Sequence, residues 1–181
     1  MRDDVLGTIG VPPFAIPLHV LHVWDDETPQ QARRQAARMA LAQAGAGWRI
    51  SVAAPDAGEP EPVERYDWAD AEGLATLTEE LDPDVVVTHG SASGVLTRRT
   101  LRDRHVIVCL SPARRGHELA ETLAEFRTSR WCNAMVVPDA RTSDWFRRRG
   151  IRVPLFLVEP GSSGASELWA AVTARAYAFG G

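Results

Sequence analysis

Short runs of β-branched and aliphatic residues alternate along this chain with longer stretches whose apolar positions recur every three or four residues. The short runs are 17–24 (PLHVLHVW), 48–53 (WRISVA), 85–87 (VVV), 106–110 (VIVCL), 134–137 (AMVV) and 153–158 (VPLFLV), with a weaker one at 63–68. Near-continuous apolar runs of this length read as strands buried on both faces, which is the signature of a parallel sheet. The first helix is predicted from Thr28-Pro29-Gln30-Gln31. Thr28 is placed as the cap, Pro29 at the first helical position, and Gln31 completes a capping box. Its apolar face is narrow and small (Ala32, Ala36, Met39, Ala40, Ala44), and Gly45 and Gly47 end it. A second helix starts at Asp70, carries Leu74, Leu77 and Leu81, and stops at Asp82-Pro83.

The stretch from Asp84 to Ser111 is the centre of the pattern. A strand ends in Thr88-His89-Gly90-Ser91, a helix follows through Val95, Leu96 and Leu101, and a second strand ends in Ser111-Pro112. That is a βαβ unit. Beyond it, residues 116–126 read as a helix with Leu119, Leu123 and Phe126 facing inward and Glu118, Glu121 and Glu125 forming a solvated face. Asp139 opens a helix through Trp145 and Phe146, closed by Arg147-Arg148-Arg149-Gly150, and a last helix is predicted over 166–177. The alternation predicts an α/β fold: a doubly wound, mostly parallel sheet of about six to seven strands with right-handed crossovers. Residues 1–16, with Pro12-Pro13 and no periodicity, read as an arm, and 17–181 as a single domain.

Composition narrows the function classes. The chain has 181 residues, 45% apolar and 24% charged, an ordinary globular balance. A net charge of −4 gives no general electrostatic case for nucleic acid. Every basic residue is arginine, so no Walker lysine exists, and there is no HExxH, EF-hand loop or cysteine pair for zinc. No metal and no cofactor is expected. No apolar run reaches the length of a membrane span, and the start lacks a secretory pattern, so a cytoplasmic setting is expected. Cys109 and Cys132 read as buried free thiols.

Ligands of open parallel sheets sit beyond the carboxyl ends of the strands. His89, Gly90, Ser91, Ser93 and Ser111 fall there, and so do Asp25 and Asp26 after the first strand. Gly90 and Gly94 allow close backbone approach, and the Ser91 and Ser93 hydroxyls either add donors for an anion or sugar or cap the helix. His89 stands where a general base or a partner for a sugar hydroxyl would stand. Asp25 and Asp26 either orient His89, bind hydroxyls or cap a turn. His19 and His22 precede the strand's carboxyl end and read as core histidines. A nucleophile elbow needs serine midway between its glycines, and in His89-Gly90-Ser91-Ala92-Ser93-Gly94 that position is Ala92. No histidine follows His117, so a hydrolase triad is disfavoured as well.

The order of these segments resembles the N-terminal, acceptor-side Rossmann domain of retaining two-domain (GT-B) glycosyltransferases, the family 4-like group. LHVWDDE with a helix ending QAGAGWRISVAAP is similar to that family's opening units. LDPDVVVTHGSASGVLTRR is similar to its histidine-bearing fourth strand, and WCNAMVVPDARTSDWFRRRGIRVPLFLVEPG to the segment before its interdomain hinge. The resemblance covers about residues 17 to 161. It implies a sugar-acceptor site on strands one and four, with His89 in the place of the strand-four histidine, and Asp25 and Thr28 in the place of the loop near the donor phosphate. The paired glycines of that loop are replaced here by Thr28-Pro29-Gln30-Gln31, the histidine after strand five by Ser111, and the hinge asparagine by Glu159-Pro160. No counterpart of the donor-binding second domain is visible. The resemblance therefore implies an acceptor-side domain that binds a sugar acceptor or a nucleotide-sugar and depends on a donor-binding partner chain, or a remnant of such an enzyme. The alternative is a non-catalytic α/β module that binds a small molecule or a protein.

Overall fold

The computed structural model describes residues 18–55, 63–110 and 119–157. The predicted arm, residues 56–62 of the Pro- and Glu-containing stretch before the weaker run, Ser111, His117, the turn at Glu159-Pro160-Gly161 and the last helix lie outside the described residues.

Among the described residues, seven strands and five α-helices follow one another: β1 (His19–Val23), α1 (Gln30–Gly45), β2 (Arg49–Ala53), β3 (Glu64–Tyr66), α2 (Ala71–Leu81), β4 (Val85–His89), α3 (Ser91–Leu101), β5 (Val106–Leu110), α4 (Leu119–Thr128), β6 (Ala134–Val137), α5 (Ala140–Arg148) and β7 (Leu155–Leu157). The strands form one sheet in the order β3-β2-β1-β4-β5-β6-β7, and every pairing is parallel. This is a Rossmann-like, doubly wound arrangement. The order reverses between β1 and β4, so the crevice at their carboxyl ends is the place where the topology opens a site.

The sequence places side chains on the two faces by parity. Val20, Trp24, Ile50, Val52, Val85, Val87 and Val108 share one face with Ala36, Met39 and Ala40 of α1. The alanines of α1 do what the pattern predicts: they let the helix lie close to the sheet. Leu21, Val23, Val86, Ile107, Met135 and Val137 share the other face with Leu74 and Leu77 of α2, Leu101 of α3 and Phe146 of α5. Phe146 and Leu74 are fully buried. Burying side chains of that size contributes about 1.5–3 kcal/mol each.

The helix ends confirm two caps and correct one. Asp70 Oδ1 accepts from the Gly73 N–H at 2.8 Å, and Asp139 Oδ1 from the Thr142 N–H at 2.6 Å. Thr28, in contrast, caps nothing: α1 starts at Gln30, Pro29 holds the cap position, and no side chain caps the helix. The Thr28 hydroxyl is turned the other way, into the β1–α1 loop. At its described positions, the face assigned to α4 is also overturned; Glu118 and the side chains of Leu119 and Glu121 lie outside the described residues. Leu123 and Phe126 are each 47% exposed, whereas Glu125 is 2% exposed. The reason is a buried arginine on α3, which draws the glutamate inward.

Candidate functional site at the carboxyl edge of the sheet

The loop after β1 is shaped by its own polar groups. Asp25 Oδ1 accepts from the Thr28 hydroxyl at 2.7 Å, and the Thr28 N–H bonds to the Asp25 carbonyl. The Thr28 oxygen also lies 3.2 Å from the Asp25 N–H, which donates to it, and 3.0 Å from the His89 carbonyl. Arg33 of α1 donates to the Thr28 carbonyl at 2.7 Å and to the Asp26 carbonyl. Asp25 thus closes a turn, one of its predicted options.

Across the crevice, Gly90 joins β4 to α3. Its φ is 106° and its ψ 171°, a region open essentially to glycine alone. A Cβ there would meet Thr28 Oγ1 at 3.0 Å, so the residue is small because the β1–α1 loop is packed on it. Ser93 is fully buried and donates back to the His89 carbonyl at 2.7 Å. Ser91 donates to Glu125 Oε1 at 2.5 Å. Neither serine caps α3.

His89 is 2% exposed. Its Nε2 lies 2.8 Å from His22 Nδ1, and His22 Nε2 lies 2.8 Å from Gln43 Oε1 of α1. An amide oxygen only accepts, so His22 carries its proton on Nε2, its Nδ1 accepts from His89 Nε2–H, and His89 Nδ1 keeps the free lone pair. The two rings stack at 5.1 Å between centroids, and Trp24 meets His89 edge-on at 6.0 Å. Burial, opposed by the bond to Gln43, lowers the His22 pKa to about 4. Burial, with the neighbouring His22 second, holds His89 well below its ordinary value. Both rings are neutral at pH 7. The expectation that His22 is a core histidine holds, and its partners are the Gln43 and His89 side chains.

On the opposite face of the same strand lies a charged cluster that the sequence pattern missed. Arg98 of α3, fully buried, donates to Glu125 Oε2 at 2.5 Å and to Cys109 Sγ at 3.5 Å. Burial by itself lowers the Arg98 pKa, but Cys109 and Glu125 outweigh it and the net direction is up. A hydrogen bond with Cys132 and the Arg98 charge bring the Cys109 thiol down to about 7 against the opposing effect of burial. Both cysteines are free and buried, as expected.

An open cavity of about 940 Å³ lies at this edge. Asp25, Asp26 and Glu27 from the β1–α1 loop, Ser91 from α3, Trp68 after β3 and Arg99 line it. Its walls carry three carboxylates, one guanidinium, one hydroxyl and an indole whose N–H is already given to the Trp24 carbonyl at 3.2 Å. Of the residues singled out from sequence, Asp25, Asp26 and Ser91 are brought together here. Thr28, Gly90 and Ser93 shape the backbone behind them, and His89 is not among the lining residues. Trp68 and Arg99 were not anticipated; the position of Trp68, just beyond a strand's carboxyl end, was the signal that could have found it. No group of three or more His, Cys, Asp or Glu side chains able to hold a metal ion occurs among the described residues. No helix among them is long and apolar enough to cross a membrane.

These features define a Rossmann-like α/β protein with an open polar cleft at the β1/β4 switch point. A sucrose-phosphate synthase structure from Thermosynechococcus elongatus is similar to this chain, with a TM-score of 0.63 and 13% identity over 88% of this chain and 97% of that one. A formate dehydrogenase from Granulicella matches with a TM-score of 0.43 and 15% identity over 90% of this chain and 42% of that one. The first likeness is one of fold, and it agrees with the glycosyltransferase-type Rossmann sheet that the segment order resembles. No protein-family model matches the chain, and no curated protein matches it in sequence.

Proposed function

We propose that this chain is a glycosyltransferase-like acceptor-side domain, which binds a sugar acceptor or a nucleotide-sugar at the carboxyl edge of its sheet and needs a donor-binding partner for transfer. The observation that carries this reading is the cavity in which Asp25, Asp26 and Ser91 converge beside Trp68 and Arg99. Carboxylates accept hydrogen bonds from sugar hydroxyls, Arg99 suits an anionic group, and the Trp68 wall offers an apolar surface. The fold likeness supports the same reading. Thr28, Gly90 and Ser93 serve it indirectly, by fixing the loop that presents Asp25. Ser111, outside the described residues, is assigned to this edge from sequence order alone. His89, the proposed proton acceptor through Nδ1, is buried behind these residues, so this role requires acceptor binding to uncover it.

Transfer needs donor and acceptor held together across a cleft. One Rossmann-like sheet offers one wall, which is why a partner is part of the proposal. The test is a transfer assay with labelled nucleotide-sugars and a panel of sugar acceptors. The pure chain alone is expected to give no product, and product is expected once the donor-binding partner is supplied. Turnover by the lone chain would overturn partner dependence.

A second reading, a binding module without catalysis, is favoured by one observation. His89 is buried, is bonded to His22, and does not line the cavity. Under this reading His89→Ala leaves ligand affinity within about threefold and no condition yields turnover. A large loss of turnover in His89→Ala, measured beside unchanged affinity, would decide for the transferase.

A further inference from the structure

A second cavity, of about 980 Å³, lies at the opposite, amino-terminal edge of the sheet. It is built where helices hand over to strands: the end of α3, the end of α4 with the 3₁₀ turn Ser129–Trp131, and the segment between α5 and β7. Arg99, Arg102, Arg127, Arg130 and Arg152 line it together with Trp131, and none of its described lining residues is a carboxylate. All five arginines are exposed, and none of them pairs with a carboxylate among the described residues. In a chain of net charge −4, five guanidinium groups around one hollow, none paired with a described carboxylate, are a strong local departure.

Two of these arginines are held in place. The Arg102 guanidinium lies 5.3 Å, and that of Arg130 4.5 Å, from the centre of the Trp131 ring. Stacking on an indole uses the face of the guanidinium and leaves its edge N–H groups free. Those edges form the fork that matches two oxygens of a phosphate. A stacked arginine has also lost part of its side-chain freedom before any ligand arrives, which lowers the entropic cost of binding. The volume suits a small molecule, not a macromolecular groove.

We infer that the arginine- and tryptophan-lined cavity at the amino edge of β5–β7 is a binding site for an oligophosphate, a small anion with two or more linked phosphates. The anion is either a free oligophosphate or the phosphate chain of a nucleotide. The site is separate from the carboxyl-edge cavity and does not depend on the function proposed for it. Arg99, which borders both cavities, is not needed for the test.

The test is isothermal titration of the full chain with inorganic tripolyphosphate at fixed ionic strength. Saturable one-to-one binding is expected. Arg102→Ala/Arg130→Ala should weaken it at least tenfold, while Arg34→Ala/Arg38→Ala, which removes the same charge from the exposed side of α1, should change it less than twofold. If the first pair fails to fold by circular dichroism, Arg102→Lys/Arg130→Lys keeps the charge but loses the fork and is expected to weaken binding at least fivefold. Sodium sulfate substituted at equal ionic strength should leave the affinity unchanged. A nucleoside triphosphate binding at least tenfold more tightly than tripolyphosphate would identify a nucleotide as the source, and equal affinities a free oligophosphate. The inference is overturned by absent or non-saturable binding, by equal losses in the two alanine pairs, by wild-type affinity in the lysine pair, by displacement with sulfate, or by binding seen only with oligonucleotides or anionic vesicles.

Discussion

Strand β4 separates two buried polar clusters of opposite character. On the α1 side, His22 and His89 are neutral, stacked and hydrogen-bonded in a chain that ends on Gln43. On the α3 side, Arg98 and Glu125 are an ion pair with almost no solvent contact. A neutral pair costs little to bury but resists taking up a proton. An ion pair costs several kcal/mol per ion to desolvate and tolerates no loss of a partner. The first cluster therefore makes the fold sensitive to acid, and the second makes it sensitive to substitution. Gly90 joins the strand that ends in His89 to the helix that carries Arg98, so the edge proposed as a binding site is braced from both faces.

The largest expected effect comes from breaking the ion pair. Glu125→Leu leaves a buried guanidinium uncompensated and should destabilise the protein by about 3–5 kcal/mol in urea unfolding. Arg98→Met/Glu125→Leu together should restore most of that loss. If the double variant is no more stable than the single one, the pair is not the source of the cost.

Acid probes the other cluster. The unfolded chain takes up a proton at His22 near pH 6.5, and the native state refuses it until about pH 4. Unfolding therefore gains protons across that window, and stability falls as the pH drops through it. Well above pH 6.5 both states are neutral at this group and it adds no pH dependence. The loss from His22 is on the order of 3 kcal/mol. Carboxylates titrate in the same range, so the measurement is a difference: His22→Gln should lose less stability than wild type between pH 6.5 and 4.5. Parallel curves would remove the histidine pair from the account.

Gly90→Ala tests the brace between the clusters. The backbone conformation and the 3.0 Å approach to Thr28 together predict a loss of about 1–3 kcal/mol. A neutral result would mean that the loop moves freely away. The smallest effect sets the scale for a solvent-facing bond. Asp139→Ala removes the α5 cap and should cost ~1 kcal/mol. A cost matching that of Glu125→Leu would erase the distinction between buried and exposed polar groups.

The fold was legible because parallel strands write themselves as short apolar runs, and Asp70 and Asp139 announce helix starts through chemistry that acts within three residues. The candidate cavity was legible in part for the same reason: residues after strand ends converge by topology, and Asp25, Asp26 and Ser91 do so. What failed depends on partners distant in sequence. Glu125 reads as a solvated residue on α4 until Arg98, 27 positions earlier, is seen behind it. Thr28 looks like a cap until the packing of Gly90 shows where its hydroxyl goes. His89 reads as an exposed base, because nothing local reveals that His22 and Trp24 close over it.

The measurement that bears most directly on the proposed role is ligand-induced thermal stabilisation, with sugars, nucleotides and nucleotide-sugars each tested on the wild type and on Asp25→Asn/Asp26→Asn. A ligand at ~100 times its Kd should add about 2.7 kcal/mol of stability. The account predicts that a sugar or nucleotide-sugar raises the Tm of the wild type and does little to the double variant. No shift with any of these compounds, or an equal shift in both proteins, would contradict it.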